Sequence, residues 1–232
     1  MENLIISDYF YIPLLIGLSF AVDAIPYINR PFQWIETYFH ELSHGLMCIL
    51  TGGRIHRIQI NWDSSGHCAA AGGFSVFILL AGYIGATAWG LFIFLGGWFL
   101  GAEGNSQLLY ILIGILGVVT LFWVRHVVTL VIVIIMGAIF YLPTLFSNWE
   151  HLHYIVEFIG VHTMVNALHA PLHLIDGKHE GDGAMLADRL LLPEGVWIAL
   201  WLVIAIAALF WLWLFTLPVS ARFDFGFQIP FL

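Results

Sequence analysis

Phe32-Gln33-Trp34-Ile35-Glu36-Thr37-Tyr38-Phe39-His40-Glu41-Leu42-Ser43-His44-Gly45-Leu46-Met47-Cys48-Ile49-Leu50 is an apolar run long enough to cross a bilayer as one helix, with the pattern His-Glu-x-x-His inside it. On a helix, positions i and i+4 share a face about one turn apart. The imidazoles of His40 and His44 can therefore reach a single ion, and Glu41 flanks its open coordination position. Two histidines and a carboxylate are each costly in the middle of a membrane span, and such residues by default imply function.

The rest of the chain supports a membrane setting. Of its 232 residues, 61% are hydrophobic and only 9% charged, and the mean hydropathy is +0.93. That balance lies far outside a soluble globular domain. Apolar runs near the length of a span recur at 9–28, 32–50, 73–100, 107–124, 127–146, 149–168 and 196–217. They predict an all-α polytopic bundle of about six or seven transmembrane helices, forming a single integral membrane domain over residues 1–232. The opening Met1-Glu2-Asn3-Leu4 lacks a basic flank and no small-residue cleavage site follows, so the first run is expected to persist as a span. With alternating spans, Arg54, Arg57, Arg125, Lys178 and Arg189 fall on one side and Arg30 and Arg222 on the other, which predicts a cytoplasmic N-terminal side.

A formal charge of −8 with no basic cluster excludes an electrostatic case for nucleic acid, so partners are expected from the lipid bilayer. Cys48 and Cys68 share no CxxC spacing and read as apolar fillers rather than thiolate ligands. After the motif run, Arg54 to Trp62 alternates Ile58, Ile60 and Trp62 before the polar turn Asp63-Ser64-Ser65-Gly66, which predicts a short β-hairpin. Ala69-Ala70-Ala71-Gly72-Gly73 and Ala81-Gly82-Tyr83-Ile84-Gly85 supply small residues that allow close helix packing or a backbone wall beside a site. Among isolated polar residues, Asp23 lies deep in the first run, while Glu103, Glu150 and Glu157 sit near span ends or on a polar stripe, where solvated or paired roles suffice.

The expected metal is Zn2+. Zinc polarises a scissile carbonyl and lowers the pKa of its water, and Glu41 would take the water proton and pass it to the leaving amine. A third protein ligand must come from a distant segment, because no histidine follows at metzincin spacing and no glutamate occurs between Gly45 and Ala102. Candidates are Asp176, Asp182 and the pair His169/His173. Asp182 opens the apolar helix Asp182-Gly183-Ala184-Met185-Leu186, whose first turn would hold a carboxylate toward the bundle. Asp176 suits a loop acid or a partner that fixes a histidine tautomer.

These residues resemble the site-2 protease family of zinc intramembrane metallopeptidases, especially its compact bacterial and plant branch. The resemblance rests on Phe39-His40-Glu41-Leu42-Ser43-His44-Gly45, Thr51-Gly52-Gly53 with the hairpin, Gly72-Gly73, Ala81-Gly82-Tyr83, Gly181 to Ala187 and Leu192-Pro193-Glu194-Gly195-Val196-Trp197. It implies that the histidines and a late aspartate bind zinc, that the glutamate is the catalytic base, and that a membrane-embedded protein is the substrate. The usual Asn-x-x-Pro-x-Pro-x-x-Asp-Gly signature is absent; Asn166, Pro171 and Asp176-Gly177 reproduce it only at altered spacing. The third ligand stays open between Asp182 and Asp176. A strand edge in the hairpin could hold an unwound substrate by strand addition.

Two other readings start from the same residues. The 11 histidines and the second pair His169/His173, with His151, His153, His162 and His179 nearby, suit a membrane di-iron oxygenase or desaturase. The absence of any His-His doublet and the glutamate directly after His40 weigh against it. The other is an inactive metal-binding scaffold in which His151, His153 and His162 are packed or lie at headgroup level.

Overall fold

The computed structural model describes residues 8–101, 106–146, 151–175 and 178–217. Asp176, Glu103, Glu150 and Arg222, named above, lie outside the described residues. The chain is mostly helical, in the order α1 (Asp8–Asp23), α2 (Pro26–Leu50), β1 (Arg54–Ile60), β2 (Gly66–Ala71), α3 (Ser75–Gly101), α4 (Gln107–Trp123), α5 (Val127–Tyr141), α6 (Leu152–His169), α7 (Asp182–Leu190) and α8 (Glu194–Thr216). Short 3-10 segments, Leu142–Phe146 and Ala170–Leu174, extend α5 and α6.

Each expected run contains a helix, but the expected count of six or seven spans is not reached among the described residues. Three helices are long and apolar enough to cross a membrane, or four if α1 and α2 form one span bent by 115°. α4 has 17 residues and falls short in length, while α6 carries Glu157, His162 and Asn166 in its interior and falls short in apolarity. α2 also starts earlier than its apolar run suggests, at Pro26. Proline suits the first helical position, where its missing N–H would have no partner in any case.

Polar and apolar residues are distributed as a bilayer requires. Val203, Ile206 and Phe210 of α8 are exposed, whereas Glu36, Glu41, His44, Glu157 and His162 are buried. Lipid accepts the first set, and the protein interior offers partners to the second. α6 lies at the centre against α3, where glycines permit contact of the two backbones. A Cβ on Gly160 would fall 2.5 Å from the backbone nitrogen of Phe94, and one on Gly90 would fall 2.8 Å from the Gly160 carbonyl.

The predicted hairpin is present, antiparallel, with Ile58 opposite Cys68 and Ile60 opposite Gly66. Ile58 and Ile60 are fully buried, as the alternation requires, while Trp62 is exposed and packs on Trp34 with ring centroids 5.5 Å apart. The turn is closed by Asp63, whose Oδ1 accepts from the Ser65 backbone N–H at 3.0 Å and the Ser65 hydroxyl at 2.7 Å. Those bonds hold the Asp63 carboxyl below the usual carboxylate range. Thr37 of α2 donates to the Ser64 carbonyl at 2.8 Å and ties the turn to the motif helix.

Candidate metal centre

α2 runs unbroken through the motif, so His40 and His44 share one face, with ring centroids 4.6 Å apart. Their Nε2 atoms approach to 2.9 Å. Asp182, 142 positions away from His40, brings Oδ2 to 3.2 Å from His40 Nε2 and 3.1 Å from His44 Nε2. All three side chains are largely buried, at 11%, 9% and 16% exposed respectively for His40, His44 and Asp182.

His44 Nδ1 lies 2.6 Å from the Ile78 carbonyl oxygen. A carbonyl only accepts, so Nδ1 of a neutral His44 carries the hydrogen and Nε2 turns its lone pair toward His40 and Asp182. Lone pairs converging at about 3 Å repel one another unless a cation lies between them. Four tetrahedral ligands at about 2.0–2.1 Å from zinc stand roughly 3.3 Å apart. The observed triangle fits that size, and its N, N, O donor set suits zinc. Among the described residues, this is the group of His, Cys, Asp and Glu side chains that could hold a metal ion.

The carboxylate is aimed by packing at its back. Asp182 begins α7, and Leu186, one turn later on the same face, is fully buried in a cluster with Leu79, Tyr83, Trp197, Ile198 and Trp201. Seating Leu186 against α3 and α8 turns Asp182 toward α2.

α3 supplies the opposite wall. A Cβ on Gly82 would lie 2.5 Å from His40 Cε1 and 2.6 Å from His44 Cε1, so the helix backbone itself covers both imidazoles. The small-residue segment therefore lines the cluster as well as packing helices. Tyr83 stacks edge-on to His40 at 4.4 Å between ring centroids and meets Trp201 at 4.6 Å.

Glu41 is buried in a cavity of about 790 Å³ that also reaches His40, His44, Asp182 and the β2 residues Gly66, His67 and Cys68. A Cβ on Gly66 would collide with the Glu41 carboxylate, so the start of β2 comes directly over it. Burial pushes the Cys68 thiol up to about 12, as expected for an unreactive thiol. The two hairpin edges differ. β1 is covered by Thr129 of α5, which donates to the Ile60 carbonyl at 3.1 Å and accepts from its N–H at 3.0 Å, and by a bridge from Ile58 to Val124. β2 faces the cavity.

The second histidine pair does not join the triangle, although His173 lines the same cavity. His169 Nδ1 is 3.2 Å from Asp23 Oδ2, which gives the odd acid of the first run its partner. His162 is fully buried, with Nε2 3.0 Å from Asn29 Oδ1 and its ring against Phe32 and Phe158. Glu157 accepts from the Tyr11 hydroxyl. Sequence reading passed over Glu36, which is buried on the cavity wall one turn before His40; its i−4 spacing from His40 was the available signal.

A family model described as Peptidase M50B-like matches residues 13–212. No curated protein and no solved structure matches the chain.

Proposed function

The chain belongs to the Peptidase M50B-like family, and from that premise we propose that it is a zinc-dependent intramembrane endopeptidase that cleaves a membrane-embedded protein. In this reading His40, His44 and Asp182 hold the ion, Glu41 is the general base, and the chain is one multi-pass membrane domain with a cytoplasmic N-terminal side. The observation that carries it is the triangle of His40, His44 and Asp182 donor atoms at 2.9–3.2 Å, with Glu41 in the same cavity.

When bound there, zinc supplies Lewis acidity to the scissile carbonyl and the attacking water. The remaining work belongs to the chain. The Ile78 carbonyl orients His44 through Nδ1, and the Gly82 backbone and Tyr83 ring shield His40 from lipid. Glu41 takes a proton from the water as it attacks and hands it to the leaving amine nitrogen. The open β2 edge receives the unwound substrate as an added strand, placing its backbone beside Glu41.

The test measures metal content and cleavage of a membrane reporter on detergent-purified protein. Wild type is expected to hold about one zinc per chain, lost in His44→Ala and Asp182→Ala. Asp176→Ala is expected to retain it; loss there with retention in Asp182→Ala would transfer the third ligand to Asp176. Glu41→Gln should keep the zinc and lower kcat on the order of 10²–10⁴-fold. Undiminished cleavage by that variant would end the assignment of Glu41.

A further inference from the structure

A second cavity of about 650 Å³ lies where α1 breaks into α2, lined by Asp23, Asn29, Arg30, Gln33, Glu36 and Asp63. It shares a wall with the metal-centre cavity, since Glu36, Thr37, Ser64 and Ser65 line both. Glu36 stands on that wall at 6% exposure, and its Oε1 is buried without a hydrogen-bond partner. A buried carboxylate oxygen left unpaired is costly, and a ligand that pairs with it recovers that cost.

The charges around the second cavity indicate what that ligand is. Three carboxylates, Asp23, Glu36 and Asp63, share the cavity with one guanidinium, Arg30, and the imidazoles of His169 and His173. Asp23 lies 3.2 Å from His169, which takes that carboxylate. Glu36 forms no ion pair among the described residues, and its Oε1 stays buried without a hydrogen-bond partner. Glu36 lies one helical turn, about 6 Å, before His40, and an extended chain advances about 3.3 Å per residue. A substrate strand on the β2 edge would therefore bring a side chain to Glu36 about two to four residues from the bond being cut. Lysine and arginine are the residues that flank membrane spans on one side.

We infer that the second cavity is a specificity subsite that takes a lysine or arginine side chain of the substrate, with Glu36 as its counter-charge. The inference rests on the peptidase reading above and names a determinant of what that site selects. The cation also completes the environment of Glu36, which otherwise holds an unpaired oxygen inside the protein.

The experiment places Lys or Gln in turn at each position along the span and flanks of a single-span reporter. At one position or more, Lys should raise kcat/KM about tenfold over Gln in wild type, and Glu36→Gln should reduce that ratio to about twofold or less. Asp63→Lys, at the exposed mouth, should reduce it about two- to threefold. The same Lys and Gln reporters, fitted with a photo-crosslinker, are then captured by the Glu41→Gln protein with and without Glu36→Gln. Preferred capture of Lys that disappears with Glu36→Gln supports the subsite even if wild type cleaves nothing, an outcome that would sink the peptidase reading alone. Equal handling of Lys and Gln, or a preference that survives Glu36→Gln in both assays, overturns the subsite.

Discussion

His40/His44 and His169/His173 have the same spacing, yet the first pair converges on a third ligand-type side chain and the second is split apart. α2 continues to Leu50, so the i, i+4 relation holds in space. α6 ends at His169, and Pro171 lacks the N–H that a continuing helix would donate to Ala167; the chain passes into the 3-10 segment Ala170–Leu174. His169 then pairs with Asp23, and His173 lines the cavities without joining the His40 cluster. A His-x-x-x-His pattern thus signals a shared ion only where the helix is unbroken and another element presents a ligand to that face.

The largest effect should separate the pairs outright. His44→Ala is expected to reduce bound zinc from about one per chain to none, with cleavage lost by at least about 10³-fold; His173→Ala should leave zinc unchanged by elemental analysis. Equal zinc loss in both would erase the distinction. Next, Gly82→Ala drives a methyl group into both imidazoles. It should weaken zinc affinity by about 10–100-fold, the range seen when groups that orient metal ligands are disturbed, while circular dichroism stays that of a folded helical protein. Wild-type affinity would mean that the α3 wall yields.

A smaller effect is expected on the structural side. Asp23→Asn removes the charged partner of His169 and should lower stability by about 1–3 kcal/mol, read as a reduced thermal midpoint, with zinc content unchanged. Loss of zinc would instead join the second pair to the metal centre. The smallest change should come from Pro171→Ala, which restores a helix donor. Stability should shift by less than about 1 kcal/mol, and the protein should still bind one zinc; a second bound ion would show that helix continuity alone suffices.

Much of this was legible in the chain. The alternation of Ile58, Ile60 and Trp62 before a polar turn foretold the hairpin, and the family resemblance carried by Phe39 to Gly45 corresponds to the Peptidase M50B-like match. The number of spans was less legible, because α6 keeps Glu157 and His162 among protein partners and so lacks the uniform apolarity that marks a lipid-facing helix. The role of Gly82 was left between two readings, since a small residue permits close approach without naming what approaches. Glu36 was overlooked because its spacing of one turn before His40 does not by itself say which cavity the acid lines.

The amino-acid sequence by itself determined the properties that depend on near neighbours: apolar helices, a turn closed by Asp63, and two imidazoles on one face of α2. Helical periodicity and turn chemistry act over a few residues and can be read locally. Only the tertiary structure decided that Asp182 meets His40 and His44, that β1 is covered while β2 faces Glu41, and that Asp23 pairs with His169. Those contacts join residues far apart in the chain, and they are set by how Leu186, Gly82 and Gly160 let whole helices pack, which no local pattern encodes.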